Sequence, residues 1–96
     1  MSRVISAAQA LGQLRDDQVD EFFTEFNNCM KDPKWVDDWR CGLPDANYWR
    51  FSMHGEHNVA TELKIRGELE NAGWKVNEVA RGEDRNAYTC YYVAKA

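Results

Sequence analysis

The residues best suited to chemistry are two histidines and two cysteines. His54 and His57 are close together in the chain, and Cys29 and Cys41 lie upstream of them. Neutral imidazole and thiolate are ligands that suit Zn²⁺, and four of them can form a tetrahedral site. Eleven residues separate the two cysteines, however, whereas structural zinc sites separate paired ligands by about two to five residues. We therefore interpret the segment 54–57 as a polar turn before a helix, and we expect no metal ion or other cofactor.

Covalent catalysis would have to use a cysteine with a histidine. None of the serines lies in a nucleophile-elbow motif, and a reactive thiol needs a positively charged setting that lowers its pKa. Cys29, Cys41 and Cys90 are odd in number and contain no C-x-x-C spacing, which is typical of reduced thiols in the cytoplasm. We interpret them as inert thiols and predict a cytoplasmic protein without enzymatic activity.

Aromatic and basic residues are interleaved in the second half of the chain and indicate a nucleic-acid-binding surface. Rings on a sheet can stack on unpaired bases while arginine and lysine hold the phosphates. The residues concerned are Trp49, Arg50, Phe51, Lys75, Arg81, Arg85, Tyr88, Tyr91, Tyr92 and Lys95. Because side chains alternate along a strand, about half of these rings must belong to the core. We keep single-stranded nucleic acid as the alternative ligand.

Negative charge is concentrated in the first half of the chain. Residues 1–48 contain five lysines and arginines against nine acidic residues, residues 49–96 contain seven of each, and the net charge is −4. This field repels phosphate backbones and favours a partner with a basic surface. Tryptophan is enriched at binding hot spots. The predicted partner-binding residues are Asp17, Asp20, Glu21, Glu25, Trp35, Asp37, Asp38 and Trp39.

Four helices are predicted to carry or support these residues. A Ser-x-x-Gln capping box predicts a short helix over 3–14, and apolar residues at helical spacing between Val19 and Met30 predict a longer one from Asp16. Asp32 followed by a proline predicts a short helix over 33–40. A further helix is predicted between Gly55 and Gly73, with Val59, Leu63, Ile65, Leu69 and Ala72 on its apolar face.

Three strands complete the predicted fold. Residues 47–54 alternate between apolar and polar with period two, and the segments 74–81 and 87–95 are rich in aromatic and β-branched residues around a polar loop at 82–86. We predict one α+β domain over 1–96 with two layers, its N-terminal helices on one face of a three-stranded sheet. The first strand could lie parallel to the second or antiparallel to the third. The element order is helix, helix, short helix, strand, helix, strand, strand.

The second half of the chain resembles small phage-encoded accessory proteins of the α+β class. The resemblance rests on the order strand, helix, strand, strand over 48–96 and on the helix ending Glu-Asn-Ala-Gly-Trp-Lys-Val at 70–76. Proteins of this kind, anti-CRISPR proteins among them, often inhibit host or defence machinery by occupying a basic protein surface. The resemblance therefore implies an inhibitor, and it assigns no residue a role.

Charge, size and resemblance together predict a non-catalytic protein-binding module. We expect it to inhibit or modulate a host or defence complex by engaging a basic protein surface through acidic helices and exposed aromatic residues. The longest uncharged stretch, between Arg3 and Arg15, is too short and too polar to cross a bilayer, so no membrane association is expected. The chain is expected to be a monomer or a homodimer.

Overall fold

A computed structural model of the chain describes residues 4–42, 47–55, 57–83 and 87–96. The predicted α+β class is confirmed, with helices beside a single sheet that has four strands rather than three. The elements are α1 (Ala7–Leu11), α2 (Asp16–Met30), α3 (Pro33–Asp38), β1 (Arg40–Cys41), β2 (Tyr48–His54), α4 (Val59–Asn71), β3 (Trp74–Glu83) and β4 (Ala87–Lys95).

The four strands are antiparallel and lie in the order β1-β2-β4-β3. β2 therefore pairs with the last strand, Phe51 opposite Tyr91, which decides between the two arrangements that the sequence left open. The extra strand is β1, whose two residues pair with Trp49 and Tyr48 of β2. Two residues are too few to show a period of two in the sequence, and this explains why the prediction of three strands was wrong.

The core lies between α2 and α4 on one side and the inner face of the sheet on the other. Phe22 of α2 is buried and has its ring 4.9 Å from that of Tyr91 and 6.0 Å from that of Phe51. α4 adds Ile65 and Leu69, both almost wholly inaccessible to solvent. Burying an aromatic or aliphatic side chain of this size stabilises the fold by about 1.5–3 kcal/mol, so this cluster holds the helices against the sheet.

The N-terminal helices follow their capping signals. The Ser6 hydroxyl accepts from the Gln9 N–H at 3.2 Å, and the Gln9 side chain accepts from the Ser6 N–H at 3.1 Å. This confirms the capping box, although α1 is shorter than the predicted 3–14 because Gly12, with φ of 86°, ends it. In α3 the Asp32 carboxylate accepts from the Lys34 N–H. α3 ends at Asp38, two residues before the predicted boundary, because β1 begins at Arg40.

α4 is shorter than predicted, and its buried face agrees with the predicted one only in part. It begins at Val59, since the Asn58 side chain accepts from the Thr61 N–H and caps the helix there. Leu63, predicted for the apolar face, is 50% exposed, whereas Thr61 is fully buried. The Thr61 hydroxyl donates to Asn58 Oδ1 and accepts from the Arg15 N–H. A hydroxyl with both partners can be buried at little cost, so hydrophobicity alone predicted the burial of Ile65 and Leu69 but not that of Thr61.

Candidate functional site

The acidic residues predicted on α2 all lie at the surface. Asp17, Asp20, Glu21 and Glu25 are exposed, while Val19 and Phe22, between and beside them in sequence, are buried. Residues four apart on a helix are neighbours on its surface, so Asp17, Glu21 and Glu25 form one row along α2. Asp20 is outside this row. The helix thus presents a negatively charged edge that has no part in the core.

Asp17 differs from the other members of this row because it already has a cation. Arg15 donates to the Asp17 carboxylate through Nε at 3.2 Å and through Nη2 at 3.1 Å. This hydrogen bonding, together with the positive charge, holds the pKa of Asp17 below its ordinary value. Glu21 and Glu25 have no such ion pair within the described part of the chain. They are therefore the two carboxylates of the row that are available to a partner.

The two tryptophans predicted on α3 have different environments. The Trp35 ring is half-buried, with its centroid 5.3 Å from that of Phe51 in the sheet. Trp39, at the end of the same helix, is 62% exposed. Asp37 and Asp38 are also exposed. Trp35 thus contributes to the core as well as to the surface, and Trp39 is the large apolar side chain that α3 offers to solvent.

A groove of about 710 Å³ brings three of the eight predicted residues together. Glu25 of α2 and Trp35 and Trp39 of α3 line it. The other predicted residues, Asp17, Asp20, Glu21, Asp37 and Asp38, lie outside this lining. The remaining described residues of the lining are Cys29, Cys41, Tyr48, Arg50, Phe51, Ser52, His54 and Tyr92.

Sequence reasoning missed the part of the groove that the sheet contributes. Arg50, Ser52 and His54 of β2 line it together with Cys41 of β1. The period of two predicted that Arg50, Ser52 and His54 lie on one side of a strand. They are exposed while Phe51, on the opposite side, is buried, which confirms this prediction. What the pattern did not contain is that β1 pairs only with Tyr48 and Trp49, so that no strand among the described residues lies on this side of β2 from Arg50 to His54.

Two of the three cysteines, Cys29 and Cys90, lie in surroundings that do not activate a thiol. Burial raises the pKa of the Cys29 thiol, and the negative charges of Glu25 and Asp32 raise it further. A raised pKa keeps the thiol protonated at neutral pH and makes it a poor nucleophile. Cys90 is buried, with its Sγ 3.3 Å from the Ser52 hydroxyl. Neither thiol has a histidine as a hydrogen-bond partner.

The two histidines lie apart, so the cluster suggested by the sequence does not form. His54 is exposed at the end of β2, whereas His57 is buried and shares a hydrogen bond from its Nε2 with the Tyr91 hydroxyl. Burial lowers the pKa of His57 and raises that of Tyr91. Glu56, the residue between them in the motif, lies outside the described residues. Over the described part of the chain, no three histidine, cysteine or acidic side chains are placed to hold a metal ion.

A second cavity, of about 430 Å³, lies beside the start of α4. Arg15, Arg81 and His57 contribute to its wall. Both arginines have carboxylate partners, Arg15 with Asp17 at 3.1 Å and Arg81 with Glu62 at 3.6 Å. Because each positive charge is offset in this way, the cavity lacks the net charge that would attract an anion.

The outer face of the sheet carries only part of the aromatic and basic set that the sequence suggested for nucleic-acid binding. Tyr48 and Arg50 of β2 point to this side, as do Tyr88 and Tyr92 of β4, which stand opposite His54 and Arg50. The Tyr48 and Tyr92 rings meet edge to face at 5.7 Å. Of the rings that the sequence analysis proposed for nucleic-acid binding, Trp49, Phe51 and Tyr91 point to the helix side. As the sequence predicted, about half of the rings belong to the core; Arg85 lies outside the described residues.

Comparison with protein families, with curated proteins and with solved structures finds no match for this chain. The resemblance to phage-encoded inhibitors thus stays a prediction. None of the described helices has the length and apolar character needed to cross a membrane.

Proposed function

We propose that the protein is a non-catalytic protein-binding module that engages a basic surface of its partner. The observation that carries the proposal is a groove whose wall contains both a free carboxylate, Glu25, and an exposed tryptophan, Trp39. Tryptophan supplies apolar contact area, and a carboxylate in the same groove selects for a cation. Glu21 extends the negative edge one helical turn beyond the groove.

The charge of the whole molecule favours the same partner. The net charge is −4, and the excess of acidic residues lies in the half of the chain that forms α2 and α3. Such a field accelerates encounter with a positively charged surface and repels acidic competitors. The resemblance to phage-encoded inhibitors directs the search for that partner to host or defence complexes, whose activity the bound protein would block or modulate.

The experiment is affinity capture with a double charge-reversal variant. The chain is immobilised and exposed to a lysate of the cell in which it acts, and retained proteins are quantified by mass spectrometry. Glu21→Lys/Glu25→Lys should reduce retention of the main basic protein at least tenfold. Glu68→Lys/Glu70→Lys, with the same change of charge on exposed positions of α4, should reduce retention less than twofold.

Two results would count against the proposal. Equal loss with both double variants would mean that overall charge, and not the edge of α2, determines binding. Failure of the wild-type chain to retain any protein above the level of blank beads would contradict a protein-binding function. Circular dichroism of each variant shows whether the fold is retained.

The outer face of the sheet supports a second candidate, a nucleic-acid-binding regulator. Tyr48, Tyr88 and Tyr92 stand on a face that also carries Arg50 and Lys75. Aromatic rings on an open sheet can stack on unpaired bases. A gel shift with single-stranded and duplex DNA and RNA at low salt separates the candidates, since the protein-binding module should produce no shift. A shift that Tyr92→Ala abolishes would favour the nucleic-acid regulator.

A further inference from the structure

The outer edge of β2 is only partly occupied by β1. β1 pairs with Trp49 and Tyr48, and no strand in the described part of the chain pairs with this edge from Arg50 to His54. Five residues of strand correspond to a length of about 17 Å. Unpaired N–H and C=O groups along such an edge are a template for an additional strand.

The pairing on the other side of β2 shows which main-chain groups are free. The Gly55 N–H donates to the Ala87 carbonyl of β4 at 2.7 Å. In an antiparallel pair, alternate residues direct both main-chain groups to the same neighbour, so Met53 and Phe51 bond to β4 as Gly55 does. Arg50, Ser52 and His54 therefore direct their N–H and C=O groups outward, beyond the end of β1.

The groove described above lies along this open edge. Its wall includes Trp35 and Phe51 from the helix side of the sheet and Arg50, Ser52 and His54 from the outer side. A space that touches both faces of one strand is the space that a neighbouring strand would fill. The opposite edge of the sheet differs, since a register shift between Val76 and Glu78 interrupts β3, and bulges of this kind hinder strand addition.

We infer that the open edge of β2 binds an extended segment of the basic partner, which adds to the sheet as a further strand; the inference rests on the proposed function. The segment forms main-chain hydrogen bonds with Arg50, Ser52 and His54. Its side chains on the helix side meet Trp35 and Glu25 and are therefore apolar and basic. Those on the other side lie beside Arg50 and are polar. In strand addition of this kind, main-chain hydrogen bonds provide the affinity and alternate side chains provide the specificity.

Charge favours a partner segment over a second copy of the chain at this edge. Two copies paired through β2 would bring together two molecules of net charge −4. If the two strands paired antiparallel with Ser52 at the centre, Arg50 of one copy would lie opposite a histidine of the other. Neither the approach of the two molecules nor the contact between arginine and histidine is attractive, whereas a basic segment would be attracted to Glu25.

A synthetic peptide tests the inference directly. The probe is an acetylated nonapeptide in which threonine alternates with valine and lysine, and its control is the same peptide with N-methyl groups on alternate residues. Ser52→Pro removes the outward N–H of β2 without removing a bond to β4, and Ser52→Ala controls for loss of the hydroxyl. Binding is followed by calorimetry, and amide hydrogen exchange of the free and bound chain by NMR.

The inference expects a distinct set of results. The unmethylated peptide should bind at least tenfold more tightly than the methylated one, and Ser52→Pro, but not Ser52→Ala, should weaken binding at least tenfold. On binding, exchange at the amides of Arg50, Ser52 and His54 should slow at least tenfold, whereas the amides of Phe51 and Met53 are already protected by β4. Circular dichroism checks that Ser52→Pro is folded.

Other results would overturn it. Equal binding of both peptides, no saturable binding at millimolar peptide, or unchanged exchange at the three amides would each exclude strand addition. A dimer in light scattering that Ser52→Pro converts to a monomer would assign the edge to a second copy instead. The capture experiment with Glu21→Lys/Glu25→Lys is independent of these results, so the acidic edge of α2 can stand while strand addition fails.

Discussion

The two faces of the sheet are built from the same strands and have opposite surroundings. On the helix side, Phe51, Tyr91 and Val93 are buried beneath α2 and α4. On the outer side, Arg50 is exposed, Tyr88 is 38% exposed, and no helix within the described residues covers them. The difference shows that the helix side supplies most of the buried apolar contacts, whereas Arg50 and Tyr88 on the outer side remain in contact with solvent.

The largest expected difference between the two faces is the loss of stability when an aromatic side chain is replaced by alanine. Phe22→Ala removes a ring that packs on Phe26, Phe51 and Tyr91, and it should lower the free energy of unfolding by about 3–5 kcal/mol. Tyr92→Ala on the outer face loses mainly its edge-to-face contact with Tyr48, worth about 1 kcal/mol. Urea denaturation measures both, and similar losses would show that the outer face also contributes to the core.

Two glycine substitutions test the same difference, because the atoms that an added Cβ would meet differ between the two positions. A Cβ at Gly12, which has φ of 86°, would lie 2.7 Å from the Asn58 Cβ. Gly12→Ala should therefore lower the free energy of unfolding by about 1–3 kcal/mol. A Cβ at Gly82, on the outer face, would overlap the far end of the Tyr88 ring, whose atoms are its nearest neighbours; because Tyr88 is 38% exposed, we expect its ring to move toward solvent. Gly82→Ala should change stability by less than about 1 kcal/mol, and thermal unfolding of both variants provides the check.

The two histidines provide the smallest and most specific test. Burial lowers the pKa of His57 in the folded chain, so below about pH 6.5 the unfolded chain binds the extra proton more readily. The free energy of unfolding should consequently fall as the pH falls from 7 to 5, by at most about 1.4 kcal/mol per pH unit from this residue. His57→Gln should flatten that dependence, and His54→Gln, at an exposed position, should leave it as in the wild type. Equal slopes in all three proteins would contradict a buried, neutral His57.

Local signals in the sequence predicted the individual elements well. The capping side chains of Ser6 and Asp32 mark helix starts that the structure confirms. The alternation from Tyr48 to His54 predicted both the strand and its buried face. These features depend on neighbours within a few residues, which is the range over which helical and strand periodicities act.

The candidate site was predictable only in part. Charge and composition identified Glu25, Trp35 and Trp39, and these three do line one groove. The edge of β2 in the same groove was not predictable, because it depends on how much of β2 pairs with the short strand β1. The burial of Thr61 was not predictable for a similar reason, since the partners of its hydroxyl are Asn58 and the distant Arg15.

The sequence by itself determined the α+β composition, the acidic character of the N-terminal half and the amphipathic pattern of α2 and β2. The tertiary structure alone decided that β2 pairs with β4, that Trp35 packs on Phe51 while Trp39 stays exposed, and that β1 is the only described strand on the other side of β2, where it pairs with two residues. The physical reason is the distance along the chain over which each property is set. Propensity and periodicity are local, whereas pairing and burial depend on which remote segments fill the same space.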